Sequence, residues 1–366
     1  MMLPKSMVYV ILILFGVSMI SCSQLKQPGE EFTIRSGVNV SHWLSQSGKR
    51  GEARLNYITK ADFDTIAAMG FDHVRIPVDE EQLWDSLGTK EAEAFELLHN
   101  ALTWAAEANL RAIVDMHIIR SHYFIAESNA LWTDSAEQDK LVDLWMQLSD
   151  ELKQYPNNLV AYEILNEAVA DDPEDWNNLV AKVVAAIRVR EPERTIVIGS
   201  NRWQIADTFP QLKVPENDSN IILSFHFYTP MPITHHKASW TAIAEYSGPV
   251  HYPGQVIEPK DMQGLSEKAL AMLEWSNGYF TKDSLEKVMM PAMKVAQEKN
   301  LPLFCGEFGV YPTIDDSIRL QYYKDLCDIF KRNNIAYCHW CYKGDFPVVG
   351  ENSTPQQPLA SILTAK

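Results

Sequence analysis

Two glutamates at the ends of apolar segments are the residues of this sequence best suited to acid–base chemistry. Glu307 lies near the end of segment 303–309, and Glu167 closes segment 160–167. Burying an unpaired carboxylate is costly, so an apolar strand that ends in glutamate is expected to reach a polar site there. Because the two segments are far apart in the chain, we predict that folding brings both carboxyl groups into one site. One would act as a general acid and the other as a nucleophile or base.

The elements that must position these glutamates follow an alternation of apolar and amphipathic segments. Eight short apolar segments are predicted to be strands: 37–40, 73–78, 111–117, 160–167, 195–199, 220–228, 303–309 and 336–340. The amphipathic segments between them are predicted to be helices: 59–70, 91–108, 135–155, 175–190, 284–300 and 316–333. Near-continuous apolar strands are typical of a parallel sheet buried on both faces. The pattern predicts a single α/β domain, a (β/α)8 TIM barrel, and no Gly-rich nucleotide motif follows the first strand to favour an open sheet.

One connection, 229–282, after the sixth strand, is much longer than the others. It contains no clear strand pattern but many aromatic residues: Trp240, Tyr246, Tyr252, Trp275, Tyr279 and Phe280. Long loops in compact domains are usually functional, so we expect this loop to form a wall of the site. The alternative is that its aromatic residues only pack the loop against the barrel.

In a TIM barrel the active site lies at the carboxyl ends of the strands. The polar and aromatic residues at those ends are Arg75, Asp115, His117, Asn166, Glu167, His226, Tyr228, Glu307 and Trp340. Arg75 would keep one carboxylate ionised, whereas burial or the neighbouring charge would keep the other protonated. Asn166 and Glu167 are adjacent, so one of them must lie where the strand bends into its loop. Two carboxyl groups with polar and stacking partners suit glycoside hydrolysis.

This set of residues resembles glycoside hydrolase family 5 of clan A over nearly the whole mature chain. The matching residues are Arg75, His117, Asn166-Glu167, His226-Phe227-Tyr228, Gly306-Glu307-Phe308-Gly309 and Trp340. The chain departs from many relatives at Ile118, where a second histidine is common. It also departs at the end of the first strand, where Ser41-His42-Trp43 stands instead of the more frequent Gly-Asn pair.

The resemblance implies a retaining double displacement with Glu167 as acid/base and Glu307 as nucleophile. It also implies that Asn166 binds the sugar 2-hydroxyl and that Tyr228 forms a hydrogen bond to the nucleophile. The other implied positions are His226 close to the acid/base, His117 in contact with the same sugar, and Trp340 as its floor. The carboxyl groups of retaining enzymes lie about 5–5.5 Å apart.

The substrate predicted from family frequency is β-1,4-glucan, cleaved by an endoglucanase-like enzyme. Mannan, xyloglucan and β-1,3-glucan remain alternatives, as does exo action on β-glucan. A metal-dependent hydrolase would resemble barrels with a His-x-His on the first strand, and only His42 lies near that position. A third possibility is a glycan-binding lipoprotein that has lost catalysis, but both glutamates and their supporting residues are present. We expect no cofactor and no metal.

Four tryptophans in loops after the strands could stack on flanking sugars: Trp43, Trp132, Trp203 and Trp240. For each of them, packing within the fold is the alternative. The pair His235-His236 in the long loop could suggest a metal, but no carboxylate lies at helical spacing beside it, so we expect a solvated position or a role at the substrate rim.

The first 31 residues are predicted to direct export rather than to fold with the barrel. Residues 1–21, with Lys5 and an apolar stretch, are typical of a signal peptide. Cys22 then resembles the lipidation site of bacterial lipoproteins, with 22–31 as a polar tether and 32–366 as the catalytic domain. This predicts a bacterial cell-envelope protein that touches the membrane only through its lipid. A plain secretory signal with an incidental cysteine is the alternative.

Composition restricts the partners. The chain has 48 acidic against 32 basic residues, and nucleic-acid binding needs a basic face, so no nucleic-acid partner is expected. The acidic balance fits a neutral polysaccharide substrate, or a solvated surface without specific meaning. Four further cysteines could form disulfides in an exported protein, namely Cys305, Cys327, Cys338 and Cys341. Cys305 and Cys338 lie in apolar segments, where free buried thiols are common.

Overall fold

In a computed structural model that describes residues 31–365, eight parallel strands close into a barrel. The barrel strands are β1 (Ser36–Asn39), β2 (His73–Asp79), β3 (Arg111–Ile118), β4 (Val160–Glu163), β5 (Ile196–Gly199), β6 (Ile221–Phe227), β9 (Leu303–Phe308) and β10 (Ala336–His339). Two further short strands, β7 (Gly254–Gln255) and β8 (Tyr279–Phe280), pair with each other. The predicted (β/α)8 TIM barrel is therefore confirmed. The predicted signal peptide and the lipidation site Cys22 lie outside the described residues.

Helices surround the barrel and connect its strands. They are α1 (Glu52–Leu55), α2 (Lys60–Met69), α3 (Glu80–Leu83), α4 (Ala92–Glu107), α5 (Ser135–Leu152), α6 (Pro173–Arg190), α7 (Asn201–Gln204), α8 (Met231–Thr234), α9 (Glu267–Ser276), α10 (Lys282–Lys299), α11 (Asp316–Arg332) and α12 (Leu359–Thr364). Thr59 and Asp62 form the capping box that the sequence predicts at the start of α2, and Gly70 ends this helix with φ +100°. The apolar faces of the helices pack on the outside of the sheet.

The barrel interior has its own small apolar core. It is built from one residue on each of six strands: Ile113, Ala161, Val197, Ile222, Phe304 and Cys338. Phe32 and Ile34, which precede β1, pack against this core. Because the interior is filled with side chains, the strands have apolar residues on both faces, which is why they read as continuous apolar segments.

Register shifts occur in three strand pairs. They lie between Phe225 and His226 where β6 pairs with β9, between Tyr337 and His339 on β10, and between Val78 and Asp79 on β2. Such irregularities re-aim side chains locally and are common next to active sites. The shift at His226 turns this side chain toward the barrel mouth beside β9.

The long connection after β6 is more ordered than its sequence suggests. It contains α8, α9, two 3-10 helices (Ala242–Glu245 and Pro259–Met262) and the antiparallel pair of β7 and β8. The prediction that it lacks strands is therefore wrong, because strands of two residues leave no periodic pattern to detect. The Tyr252 hydroxyl donates to Asp325 Oδ2 at 2.7 Å and so attaches the connection to α11.

Cysteine and membrane expectations can be compared with the described residues. Cys305, Cys327, Cys338 and Cys341 are buried and free, so none of these four forms a disulfide. Burial raises the pKa of the Cys327 and Cys341 thiols to about 12, so both stay protonated near neutral pH. Within residues 31–365, no helix has the length and apolar character needed to span a bilayer.

Candidate active site

Arg75 lies at the centre of the polar residues at the carboxyl end of the barrel. Its side chain is fully buried, and it contacts three carboxylates and two amides. The ion pairs are to Glu163 (2.6 Å), Glu307 (2.8 Å) and Asp115 (3.0 Å), and the amide oxygens are those of Asn166 (2.8 Å) and Asn39 (3.0 Å). The rigid guanidinium fork suits such multiple recognition, and it fixes the directions of all five partners.

Glu307, on β9, accepts two hydrogen bonds. Arg75 Nη1 donates to Oε1 at 2.8 Å, and the Tyr228 hydroxyl donates to Oε2 at 3.0 Å. Burial raises the pKa of the Glu307 carboxyl, whereas the positive charge of Arg75 and the Tyr228 hydrogen bond oppose that rise. Both donors stabilise the charged form, so Glu307 is the carboxyl group that this site can keep ionised.

Glu167 lies beyond the end of β4, in the left-handed backbone region with φ +45°. This confirms that, of the pair Asn166 and Glu167, one residue sits where the strand bends. The Glu167 amide donates to Gln204 Oε1 at 2.8 Å, and Glu167 Oε1 lies 2.8 Å from His226 Nδ1. Burial, and next the negative charge of Glu307, raise the pKa of Glu167 well above its ordinary value. Glu167 is therefore suited to hold a proton near neutral pH.

His226 can approach both glutamates because Gly306 has no side chain. A Cβ at Gly306 would lie 2.8 Å from Ser224 Oγ and 3.1 Å from His226 Nε2. His226 Nδ1 lies 3.7 Å from Glu307 Oε2 as well as close to Glu167. Burial lowers the pKa of His226 well below its usual range, with Arg75 adding to the effect, so the ring is neutral.

His117 and Trp340 form the opposite side of the site. His117 Nδ1 lies 2.7 Å from Asp115 Oδ2, and its ring is nearly parallel to Trp340, with centroids 5.4 Å apart and 9° between planes. Burial lowers the pKa of His117 to about 3, so it is a neutral group at working pH. Burial likewise raises the pKa of Asp115 to about 7, against the effect of Arg75.

Several buried polar atoms at the site have no hydrogen-bond partner among the described residues. They are His117 Nε2, His226 Nε2, Asn166 Nδ2 and Asp115 Oδ1. Buried polar groups are nearly always paired in native proteins, so these four atoms at the barrel mouth are available to hydrogen-bond a polar ligand.

A family model described as cellulase (glycosyl hydrolase family 5) matches residues 26–345. The chain belongs to glycosyl hydrolase family 5. Among curated relatives, endoglucanase C of Acetivibrio thermocellus is 32% identical over 343 residues, which cover 91% of this chain and 99% of that protein. Cellodextrinase A of Ruminococcus flavefaciens is 27% identical over 340 residues, which cover 91% and 94% respectively.

Solved structures show the same fold. A hyperthermophilic endo-β-1,4-glucanase in complex with substrate superposes with a TM-score of 0.74 at 24% identity, covering 93% of this chain and 99% of that one. Thermotoga maritima Cel5A in complex with mannotriose superposes with a TM-score of 0.74 at 23% identity, covering 92% and 99%. The family membership makes this chain a glycoside hydrolase, with its polar cluster where barrel enzymes act.

The eight residues of the predicted set form one network in this family 5 barrel, with Arg75 at its centre. Asn166 and Glu307 contact Arg75, and Tyr228 donates to Glu307. His226 lies close to both Glu307 and Glu167 and so links Glu167 to the others. His117 is linked to Arg75 through Asp115, and Trp340 is stacked on the His117 ring.

Three further buried residues hold the set in place but were not predicted: Asn39, Glu163 and Gln204. Asn39 and Glu163 end their strands, so the rule that selected the others could have found them. Gln204 lies outside the strands, and nothing in its local sequence marks it.

The four predicted flanking tryptophans have different environments. The prediction for Trp43 is wrong, because its side chain is fully buried and its Nε1 donates to the Arg54 carbonyl at 2.9 Å. Trp132 is half-buried and lies edge-on to core residue Trp176, which favours packing. Trp203 and Trp240 are 42% and 43% exposed, so these two stay candidates for sugar stacking.

Glu167, His226 and Glu307 could in principle ligate a cation, since each offers a ligand atom within 4.8 Å of the others. Their atoms are already engaged in this family 5 site, because His226 Nδ1 faces Glu167 and both Glu307 oxygens accept hydrogen bonds. The hydrogen-bonded arrangement accounts for the cluster without a metal. The nearest carboxyl oxygens of Glu167 and Glu307 therefore lie within 4.8 Å of each other.

Proposed function

We propose that this glycoside hydrolase cleaves β-1,4-glucan with retention, with Glu307 as nucleophile and Glu167 as acid/base. One observation carries the proposal, namely the different partners of two neighbouring carboxyl groups. Glu307 accepts hydrogen bonds from the Arg75 guanidinium and the Tyr228 hydroxyl, whereas Glu167 contacts the neutral imidazole of His226. Their nearest oxygens lie within 4.8 Å, which suits retention better than the roughly 6.5–9.5 Å that inverting enzymes use for a water molecule.

In the first step, ionised Glu307 attacks the anomeric carbon of the sugar above Trp340. The bond to the leaving-group oxygen breaks as Glu167 gives that oxygen its proton, and a glycosyl ester forms on Glu307. Glu167, now ionised, accepts a proton from water, and the resulting hydroxide equivalent displaces Glu307 from the anomeric carbon. Arg75 and Tyr228 stabilise Glu307 when it departs as a carboxylate.

The remaining site residues would bind and orient the sugar. Asn166 is held by Arg75 through its carbonyl oxygen, so its Nδ2 is free to donate to a hydroxyl. If Asp115 accepts the Nδ1 proton of His117, the free Nε2 is an acceptor for another hydroxyl. Trp340 supplies the flat apolar face that a pyranose ring packs on.

The glucan preference is supported by the relatives, which are named endoglucanases and a cellodextrinase. The test is release of reducing sugar from soluble β-1,4-glucan, mannan, xyloglucan and β-1,3-glucan, together with product analysis on defined oligosaccharides. We expect the highest kcat/KM on β-1,4-glucan, and no activity with Glu307→Gln. Binding of glucan without release of reducing sugar by the wild type would instead support the glycan-binding alternative.

We also propose that residues 1–31 act as an export signal and a tether lipidated at Cys22. Support comes from the charged and apolar pattern of this segment and from the small residue Ser21 directly before the cysteine. Full-length protein should partition into the membrane fraction of a bacterial host, and Cys22→Ala should move it to the soluble fraction. Equal partitioning of both forms would disprove lipidation at Cys22.

A further inference from the structure

The short element α7, which follows β5, runs alongside the loop after β4 that carries Glu167. Each residue of α7 forms a hydrogen bond with one residue of segment 167–171. The pairs are Gln204 with Glu167, Trp203 with Ala168, Asn201 with Ala170, and Arg202 with Asp171. The loop that holds the acid/base is therefore fixed by its neighbour along its whole length.

The backbone of α7 is strained in the same way as that of Glu167. Arg202, Trp203 and Gln204 have φ of +56°, +60° and +54°, and Glu167 has φ +45°. Residues with a Cβ are unfavourable in this left-handed region. Such strain persists only where surrounding contacts determine the backbone, and it concentrates at functional sites. In α7 this backbone places the Gln204 side chain in the interior, where it is fully buried.

Gly199, the last residue of β5, leaves the space that the Gln204 side chain occupies. A Cβ on Gly199 would lie 2.3 Å from Gln204 Cγ and 2.4 Å from its Cδ and Nε2. Non-bonded heavy atoms do not approach so closely, since their optimal separation is about 3.5–4.0 Å. The position of the Gln204 amide therefore depends on a glycine at residue 199.

The contacts of this amide determine which end is oxygen and which is nitrogen. Gln204 Oε1 accepts from the Glu167 backbone N–H at 2.8 Å, and a backbone N–H can only donate. Gln204 Nε2 donates to Glu163 Oε1 at 3.3 Å and to Ser224 Oγ at 3.1 Å. The position thus needs an uncharged group with an acceptor at one end and a donor at the other, which glutamine provides.

Gln204 connects the two proposed catalytic glutamates through one chain of hydrogen bonds. Glu163 Oε1, which accepts from Gln204, also accepts from Arg75 Nη2 at 3.1 Å. Arg75 Nη1 in turn donates to Glu307 Oε1 at 2.8 Å. The chain therefore runs from the Glu167 backbone to the Glu307 carboxyl group, and the Gln204 amide is the link next to Glu167.

We propose that Gln204 is a positioning residue for proton transfer, which holds Glu167 where its carboxyl group reaches the leaving-group oxygen. The inference rests on the proposed function and adds to it a fully buried residue that acts through the Glu167 backbone. Loss of Gln204 misplaces the acid without removing it, and a misplacement of about 1 Å can cost about 10²-fold in rate. The loss should fall on substrates whose leaving group needs a proton.

Gln204→Met is the first test, because it keeps the length of the side chain and removes its hydrogen bonds. We expect kcat/KM to fall about 10–10²-fold on cellotetraose. It should change little on 2,4-dinitrophenyl β-cellobioside, whose leaving group departs without a proton. Gly199→Ala should give the same difference between substrates, because its Cβ displaces the Gln204 side chain. The double variant should lose less than the product of the two effects, since both act through one side chain.

Gln204→Glu adds a pH readout that a merely structural role would not move. A protonated carboxyl group offers an acceptor and a donor as the amide does, whereas an ionised one cannot donate and repels Glu163. On cellotetraose, the ratio of variant to parent kcat/KM should therefore rise as pH falls in Gln204→Glu. The same ratio should change little with pH in Gln204→Met.

Gln82→Met is the matched control. Gln82 is also fully buried, and its amide bonds to the Ser47 carbonyl at 2.5 Å and to Arg54 Nη1 at 3.3 Å, away from both glutamates. This variant should affect cellotetraose and the dinitrophenyl compound equally.

An equal loss on both substrates in Gln204→Met would overturn the positioning role. If that variant does not fold, the pH dependence of Gln204→Glu decides, and a ratio that does not rise toward acid pH would overturn the role. A Glu167→Ala variant that loses equally on both substrates would overturn the proposed function instead. The two failures are therefore distinguishable.

Discussion

Glu307 and Glu167 differ in the charge of their partners, not in their distance from solvent. Both are buried, but Glu307 faces the Arg75 guanidinium and a tyrosine hydroxyl, whereas Glu167 faces a neutral histidine. Burial raises the pKa of each carboxyl, and only Glu307 has a strong opposing contact. Because of this difference, we expect Glu167 to be protonated and Glu307 to be ionised.

Alanine substitutions should separate the two roles. Glu167→Ala should lower kcat/KM on glucan by about 10²–10⁴-fold, since general acid catalysis is lost. It should retain much more turnover of an aryl glycoside with an activated leaving group, which needs little protonation. Glu307→Ala should leave almost no turnover of either substrate. An equal loss on both substrates in Glu167→Ala would contradict the acid/base assignment.

The pH dependence of kcat/KM should be bell-shaped, since the proposed double displacement requires ionised Glu307 and protonated Glu167. Activity is lost on the acid side as Glu307 gains a proton. On the alkaline side it is lost as pH rises through the pKa of Glu167, which lies well above the ordinary glutamate value. With an activated aryl glycoside, Glu167→Gln should lose the alkaline limb and keep the acid limb. An alkaline limb that persists in this variant would assign it to another group.

Arg75 should matter for stability as well as for catalysis. Arg75→Met would leave Asp115, Glu163 and Glu307 buried without their cation, and breaking a buried ion pair in this way costs about 3–5 kcal/mol. The free energy of unfolding from urea titration measures this loss. The loss should be smaller at pH 5 than at pH 7, because the carboxyl groups can protonate. Arg332→Met, which breaks the surface pair with Glu286, is the control and should change stability much less.

At the scale of elements, the barrel strands were predicted well, although β4 ends four residues before its predicted end, and the loops beyond the strands were predicted poorly. All eight barrel strands were found because buried parallel strands are continuously apolar and bounded by helices. The sequence shows that Trp43 follows β1, but it does not show where the side chain points. Tertiary contacts bury this side chain against Arg54, so its prediction as a sugar-stacking residue was wrong. Gln204 was missed for the same reason, since it supports Glu167 from a short turn in which Arg202, Trp203 and Gln204 have positive φ.

The long connection after β6 contributes Trp240 to an aromatic cluster beside the site. This ring contacts His235, Tyr311 and Phe346. Trp240→Ala should raise KM for glucan several-fold and leave kcat on a small aryl glycoside nearly unchanged, because only a long substrate would reach it. Trp275→Ala is the matched control, since Trp275 lies in the same connection and is 72% exposed. Equal effects of both variants would point to the surface of the connection rather than to a sugar contact.

At the scale of the molecule, alternation of strands and helices predicted the barrel, and the barrel predicted where the polar residues would meet. The sequence could place eight strand-end residues and Trp340 at one rim, since parallel strands share one carboxyl end. It could not give the partners of each carboxyl group, because Arg75, Gln204 and His226 meet them only through barrel closure and the register shift on β6. The resemblance implies which glutamate is the acid and which the nucleophile, whereas the physical reason for that difference needs the three-dimensional contacts.

The stereochemistry of hydrolysis tests the central claim most directly. Proton NMR of a β-linked cello-oligosaccharide during its first minutes of hydrolysis reports which anomer the enzyme releases. We expect the β-anomer to appear first and to convert to the α-anomer only by mutarotation, as the ester on Glu307 requires. Initial release of the α-anomer would show inversion and contradict the assignment of Glu307 as a nucleophile paired with Glu167.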